Sequence, residues 1–307
     1  MTSTPSPRLA IKIDVDTHDG MRTGVPRLLD CLKQHKMAAT FFLSLGPDRS
    51  GRAILQLRKP AFVRKMMSTN APSLYGWRTI LSGTLLPARP IATAFPELVR
   101  RLEDEGHEAA IHAWDHRSWQ DDLLTFKDHR IKLHLERALE AFRRLTGHDP
   151  QGIGAPAWTT TPRSLALQDG LPFSYASDLR ASPPCRLRTV DGLLRLPQIP
   201  GTGACLEELM TEGEYRPDVL VERLVQELQN ATTSVRVLTL HAEVEGGPFL
   251  PLLEQLLPRL SHYGPPITMA AAATLLGQQL PIRDWCRVNL PGRAFPVTSS
   301  RALPNRA

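Results

Sequence analysis

Three short stretches carry the side chains best suited to chemistry. "IDVD" sets Asp14 and Asp16 one residue apart, "HAWDH" sets His112 and His116 four apart, and "LTLHAEVE" ends an apolar run in His241 with Glu243 and Glu245 beyond it. Two imidazoles four residues apart on a helix or helical turn fall on one side and can share a metal ion. With a carboxylate oxygen of Asp16 they make a three-donor set, which leaves positions for water and substrate as catalytic metal sites do. Zinc, cobalt, manganese or iron(II) suits such nitrogen and oxygen donors. Asp14 lies two residues before Asp16, hence on the same strand face. From there it reaches a water near the ion as a general base. A dication beside the two carboxylates makes their like charges tolerable. His241 is read either as a proton donor to a leaving group or as a buried histidine bonded to backbone. Glu243 and Glu245 either contact substrate or are simply solvated.

The elements that must position these residues are legible from periodicity. Residues 9–15 read as a strand, and Val25, Leu28, Leu29 and Leu32 have the spacing of a helix face. Residues 38–44 form a second expected strand, "FPELVRRLEDEG" a helix, and "HEAAIHA" a third strand. "KDHRIKLHLERALEAFRRLTG" reads as a helix stopped by Gly147. "GIGAPAW" and "FSYASD" are short strands, and 187–199 a hairpin turning at Asp191-Gly192. A helix at "RPDVLVERLVQELQN", a strand at "VRVLTLHA" and a helix at "GPFLPLLEQLLPRLSHYG" complete the series. Strands alternating with helices imply a mostly parallel α/β fold, open or closed into a barrel. Every candidate residue falls at or just past the C-terminal end of a strand, the edge where such folds keep their active sites. The expected organisation is a tail over 1–8, one domain over 9–280 with a basic insertion at 49–90, and a Pro/Arg-rich tail over 281–307.

Composition narrows the class. The 307 residues are 42% hydrophobic and 22% charged, a globular balance. Four scattered cysteines with no CxxC pair argue for a reducing compartment and against a cysteine zinc site. There is no signal-like apolar run and no stretch of about 18 apolar residues, so a cytoplasmic location without a membrane span is expected. The +6 net charge is concentrated: between Arg49 and Pro96 there is no acid, while Arg49, Arg52, Arg58, Lys59, Arg64, Lys65, Arg78 and Arg89 are all basic. Removing those eight leaves −2. Interleaved apolar residues, with Tyr75 and Trp77, leave two readings of this stretch open, contact with an anionic membrane surface or a solvated helical insertion, and no nucleic-acid motif is present.

The order "DxD" strand end, "GHEAAIHAWDH", a Pro-bearing strand–loop and a late "LTLH" resembles the NodB-homology polysaccharide deacetylases, carbohydrate esterase family 4, over roughly 9–275. "IDVDT", "GVPRLL", "SLYGW", "QIP" and "HAEVEG" are similar to one branch of that family. That branch removes the formyl group from 4-deoxy-4-formamido-L-arabinose on undecaprenyl phosphate, in aminoarabinose modification of lipid A. The resemblance implies a distorted (β/α) barrel and one divalent ion on Asp16, His112 and His116. It makes Asp14 the base, His241 the general acid and Asp178 the partner that polarises it. Tyr75, Trp77, Trp158 and Glu243 become expected substrate contacts, with a backbone N–H near Ala155–Trp158 holding the oxyanion. One departure stands out: the family's third motif carries an Arg beside its Pro, where this chain has Ala155-Pro156 and no Arg until Arg163. Either Arg163 or another cation substitutes, or the base is oriented differently. The alternatives are a general polysaccharide or peptidoglycan N-deacetylase and, from another class, a basic nucleic-acid-binding protein.

Overall fold

The structure, a computed structural model, describes residues 7–52, 81–211, 213, 216–277 and 279–303. Strict alternation along β1 (Arg8–Val15) sets the architecture. Leu9, Ile11, Ile13 and Val15 join the large apolar cluster on one face, while Ala10 belongs to a second cluster on the other. Lys12 and Asp14 share the Ala10 face. β2 (Thr40–Ser44) divides likewise, with Phe41 and Leu43 outside and Phe42 inside.

β1 pairs in parallel with β2 on one side and with β8 (Val235–His241) on the other. β3 (Glu108–Ala113), β4 (Gly152–Ile153), β5 (Tyr175–Ala176) and β7 (Gly192–Gln198) continue the parallel run from β2. Just beyond β7, Thr202 N donates to Val237 O at 2.8 Å and Val237 N to Thr202 Oγ1 at 2.9 Å. These bonds bring the far side of the sheet back to β8 and make the expected distorted barrel. Helices α1 (Val25–His35), α2 (Pro96–Asp104), α3 (His116–Asp122) and α4 (Asp128–Thr146) fall between the early strands. After β4 come α5 (Pro162–Asp169), then α6 (Leu206–Thr211) and α7 (Pro217–Asn230) before β8, and α8 (Leu250–Arg259) after it. α9 (Met269–Leu276) plugs the barrel floor: Met269 N donates to Thr40 Oγ1, Ala270 N to Glu108 Oε2, and Met269 and Ala272 pack on Ala10 and Val237. That floor leaves the C-terminal strand ends as the open end.

β6 (Cys185–Thr189) forms the predicted hairpin with β7. The C-terminal region is not a tail. β9 (Ile282–Val288) adds to β6 and β10 (Val297–Ala302) to β9, making a ten-stranded sheet among the described residues. Composition concealed these strands because their charges are satisfied within the sheet. Arg188 pairs with Asp284 at 2.8 Å, and Arg283 Nε donates to Ser300 Oγ at 2.7 Å.

Candidate active site

Parallel pairing places the end of β1 beside the ends of its neighbours, with Asp14 in register with both Phe42 and His241. Asp16 follows in the next loop, His112 ends β3, and His116 opens α3. The two histidines are therefore joined by a strand–turn–helix corner rather than carried on one helix. Asp115 fixes that corner by capping α3, its carboxylate accepting from Ser118 N at 2.9 Å. The donor atoms of Asp16, His112 and His116 all lie within 4.8 Å of one another. His112 Nε2 is 3.2 Å from Asp16 Oδ1 and His116 Nε2 is 3.3 Å from Asp16 Oδ2.

The donor chemistry fits a divalent ion. His112 Nδ1 lies 2.7 Å from Gly154 O, which makes it the protonated nitrogen and leaves the Nε2 lone pair for a ligand. Burial pushes His116 down to about 4, so it stays neutral, as a ligand must. Asp16 is opposed by burial, but the flanking His116 and His112 outweigh it and hold the carboxyl well below its usual range. Behind it, Glu243 Oε1 accepts from Asp16 N (2.9 Å), Thr17 N (2.6 Å) and Thr17 Oγ1 (2.7 Å). The expected substrate contact at Glu243 is thus engaged in holding the Asp16 loop. A Cβ at Gly20 would come within 2.2 Å of that same Oε1, so only glycine lets the two segments close.

Asp14 is buried, and its Oδ2 meets Lys12 Nζ at 2.6 Å. Lys12, on the same inner face, is the cation that the motif around Pro156 lacks. Arg163 is not, since it pairs at the surface with Asp128. Asp14 Oδ1 has no hydrogen-bond partner among the described residues and remains able to accept a proton. Lys12 Nζ also lies 4.8 Å from the Phe42 ring centroid and 5.1 Å from that of Trp158.

His241, the register partner of Asp14 on β8, has its Nδ1 3.1 Å from Glu207 Oε1. Burial alone would depress this imidazole, but the Glu207 carboxylate outweighs burial and raises it well above its ordinary value. His241 N donates to Glu245 Oε2 at 2.8 Å, and burial, reinforced by Glu207, pushes Glu245 up to about 8. Glu207 occupies the place expected of Asp178. Asp178 instead accepts from Ala155 N (2.9 Å), Gln168 Nε2 (2.8 Å) and Gln198 Nε2 (3.0 Å), and so ties down the Ala155 turn. In that turn Ala157 and Trp158 both have φ of 50°, a left-handed pair that costs energy in non-glycine residues. Trp158 is buried with its ring 6.3 Å from His241.

Tyr75 and Trp77 lie outside the described residues, as do Arg58, Lys59, Arg64, Lys65 and Arg78. The other three cations of the basic stretch are turned to internal use: Arg49 pairs with Asp115, Arg52 with Asp122 and Arg89 with Asp19. Lys12, Glu207 and Arg293 sit in no motif that marks them for the site. A lysine within an apolar strand two residues before Asp14 was the one available signal.

The family model for polysaccharide deacetylases matches residues 4–176. The chain is 32% identical over 255 residues to a protein of Shewanella sediminis named 4-deoxy-4-formamido-L-arabinose-phosphoundecaprenol deformylase ArnD, covering 81% of this chain and 80% of the relative. To the protein of that name from Wigglesworthia glossinidia brevipalpis it is 30% identical, over 78% of this chain and 82% of the relative. Among solved structures it resembles a polysaccharide deacetylase from Mycobacterium smegmatis, with a TM-score of 0.63, 21% identity and coverage of 94% and 98%. The peptidoglycan deacetylase PdaC of Bacillus subtilis shares the fold at a TM-score of 0.51 and 13% identity, with coverage of 89% and 93%.

Proposed function

The chain belongs to the polysaccharide deacetylase family, and from that premise we propose that it is a metal-dependent deformylase of 4-deoxy-4-formamido-L-arabinose linked to undecaprenyl phosphate. The observation that carries the reading is the convergence of Asp16, His112 and His116 at the strand ends beside Asp14 and His241, which pair in register on β1 and β8. A divalent ion on those three ligands would supply Lewis-acid polarisation of the formamide oxygen and acidify a water.

The chain's own groups do the rest. Asp14 Oδ1 takes a proton from the attacking water, and Lys12 on Oδ2 keeps that carboxylate oriented. The Ala155 and Trp158 amides are taken by Asp178 and Ala155 O, so the Ala157 N–H of the strained turn is the backbone donor left for the oxyanion. His241, kept protonated by Glu207, gives its proton to the departing nitrogen as the C–N bond breaks. The products are formate and the 4-amino sugar lipid. A lipid-linked substrate calls for peripheral contact with the cytoplasmic face of the inner membrane. Among the described residues no helix is long and apolar enough to cross a membrane.

The deciding experiment loads the purified protein in turn with zinc, cobalt, manganese and iron(II) and supplies the formamido-arabinose lipid. Formate release with at least one metal is expected, and its absence with all four overturns the reading. Acetate release from N-acetylglucosamine oligomers in the same assay would favour a general deacetylase instead, the reading that the family model leaves open.

A further inference from the structure

Residues 289–296, between β9 and β10, bring Arg293 to the wall of the site. Its guanidinium carbon lies 4.9 Å from the Trp158 ring centroid, and its Nη2 donates to Ala157 O at 3.2 Å. Its Nε is 3.5 Å from Glu208 Oε1. That carboxylate is already committed. Arg180 grips it with two bonds of 3.0 and 2.7 Å, and Cys205 N donates to Oε2 at 3.0 Å. One buried carboxylate thus serves two guanidiniums, leaving a surplus positive charge next to the ring that packs on His241. Arg180 is sealed in, with a side chain 3% exposed, whereas that of Arg293 is 14% exposed, the same as His116. Nη1 of Arg293 has no partner among the described residues. A partly open arginine with donors to spare, beside a buried net charge, is the arrangement that captures an oxyanion.

We infer that Arg293 reads the phosphate of a sugar-phosphate substrate, making the C-terminal hairpin a specificity element. This rests on the deformylase reading, in which the substrate carries a phosphodiester at C1, across one pyranose ring from the reacting nitrogen at C4. Arg293 and His241 both pack on the buried Trp158 ring, which sets a phosphate held by Arg293 about one sugar ring from a leaving nitrogen at His241.

The test compares wild type, Arg293→Gln and Arg293→Lys as full-length, metal-loaded proteins on two formamido-arabinosides. One bears an isoprenyl phosphate at C1, the other a methyl group. Wild type should prefer the phosphate-bearing substrate in kcat/KM. That preference should fall roughly 10- to 100-fold in Arg293→Gln, mainly through KM, and be partly restored in Arg293→Lys. A loss of equal size on both substrates would reduce Arg293 to a support for the Ala157 turn and overturn the inference, as would an unchanged preference. Calorimetry with geranyl phosphate separates this from the parent reading. If wild type releases no formate yet binds geranyl phosphate and Arg293→Gln does not, the phosphate site stands and only the reaction is misassigned. No binding by wild type, or equal binding by both, sinks the site.

Discussion

Replacing Lys12 with methionine isolates the buried pair on which the base depends. Both side chains are almost fully enclosed, at 0% and 3% exposure, and their charged atoms are 2.6 Å apart. At an effective dielectric constant of about 20 that contact is worth about 6 kcal/mol of attraction. Withdrawing two ions from water costs several kcal/mol each, so the intact pair is close to neutral for folding. Lys12→Met upsets this balance. The methionine keeps much of the packing against Phe42 and Trp158 but leaves the Asp14 carboxylate buried without its cation. The expected loss is about 3–5 kcal/mol of unfolding free energy, the cost of orphaning one partner of a buried pair. Urea denaturation at neutral pH in a chelator, where no bound ion substitutes for the lysine, measures it. The double variant Lys12→Met/Asp14→Leu removes both charges and should recover most of that loss while remaining inactive. A single-variant cost below about 1 kcal/mol, or a double variant no more stable than the single, would refute the argument that this pair is isolated in the barrel.

Glu207→Gln removes the charge that keeps His241 protonated, so the alkaline limb of the kcat/KM profile should move to lower pH. The stability contributed by this pair is fully present below the ordinary histidine range and is lost as pH rises through the elevated value in the folded protein. The gap between wild type and variant should therefore narrow at high pH in thermal melts. Asp14→Asn should retain metal by elemental analysis yet lose turnover, whereas His116→Ala should lose both; near-normal rates in Asp14→Asn would exclude it as base. Gly20→Ala displaces the Glu243 carboxylate behind Asp16 and should weaken metal binding roughly 10- to 100-fold by titration calorimetry. Gly106→Ala, where nothing lies within 4 Å, should cost stability through its positive φ but leave metal affinity unaltered.

The grouping of Asp16, His112 and His116 as a candidate metal site was legible because each is encoded by short-range pattern: an apolar strand ending in acids, and two histidines at a fixed spacing. Glu207 was not legible, because it approaches His241 from α6, an element with no strong periodicity, and any acid on that segment would read the same. Asp178 was named through the family resemblance alone, and its neighbours are amide donors rather than an imidazole. Lys12 contradicts the rule that lysines stay at the surface, and that contradiction was itself the usable clue. β9 and β10 were hidden by Arg283 and Asp284, whose partners Ser300 and Arg188 come from other strands and cannot be inferred from local sequence.

Strand β1, made first, is flanked on one side by β8, whose residues follow more than two hundred positions later. A nascent chain leaving the ribosome must hold β1 with that edge unpaired until His241 has emerged, and the Arg293 segment comes later still. Such long-range pairing slows folding and exposes a sticky edge meanwhile. The full set of strand-end residues is thus assembled only near the end of translation.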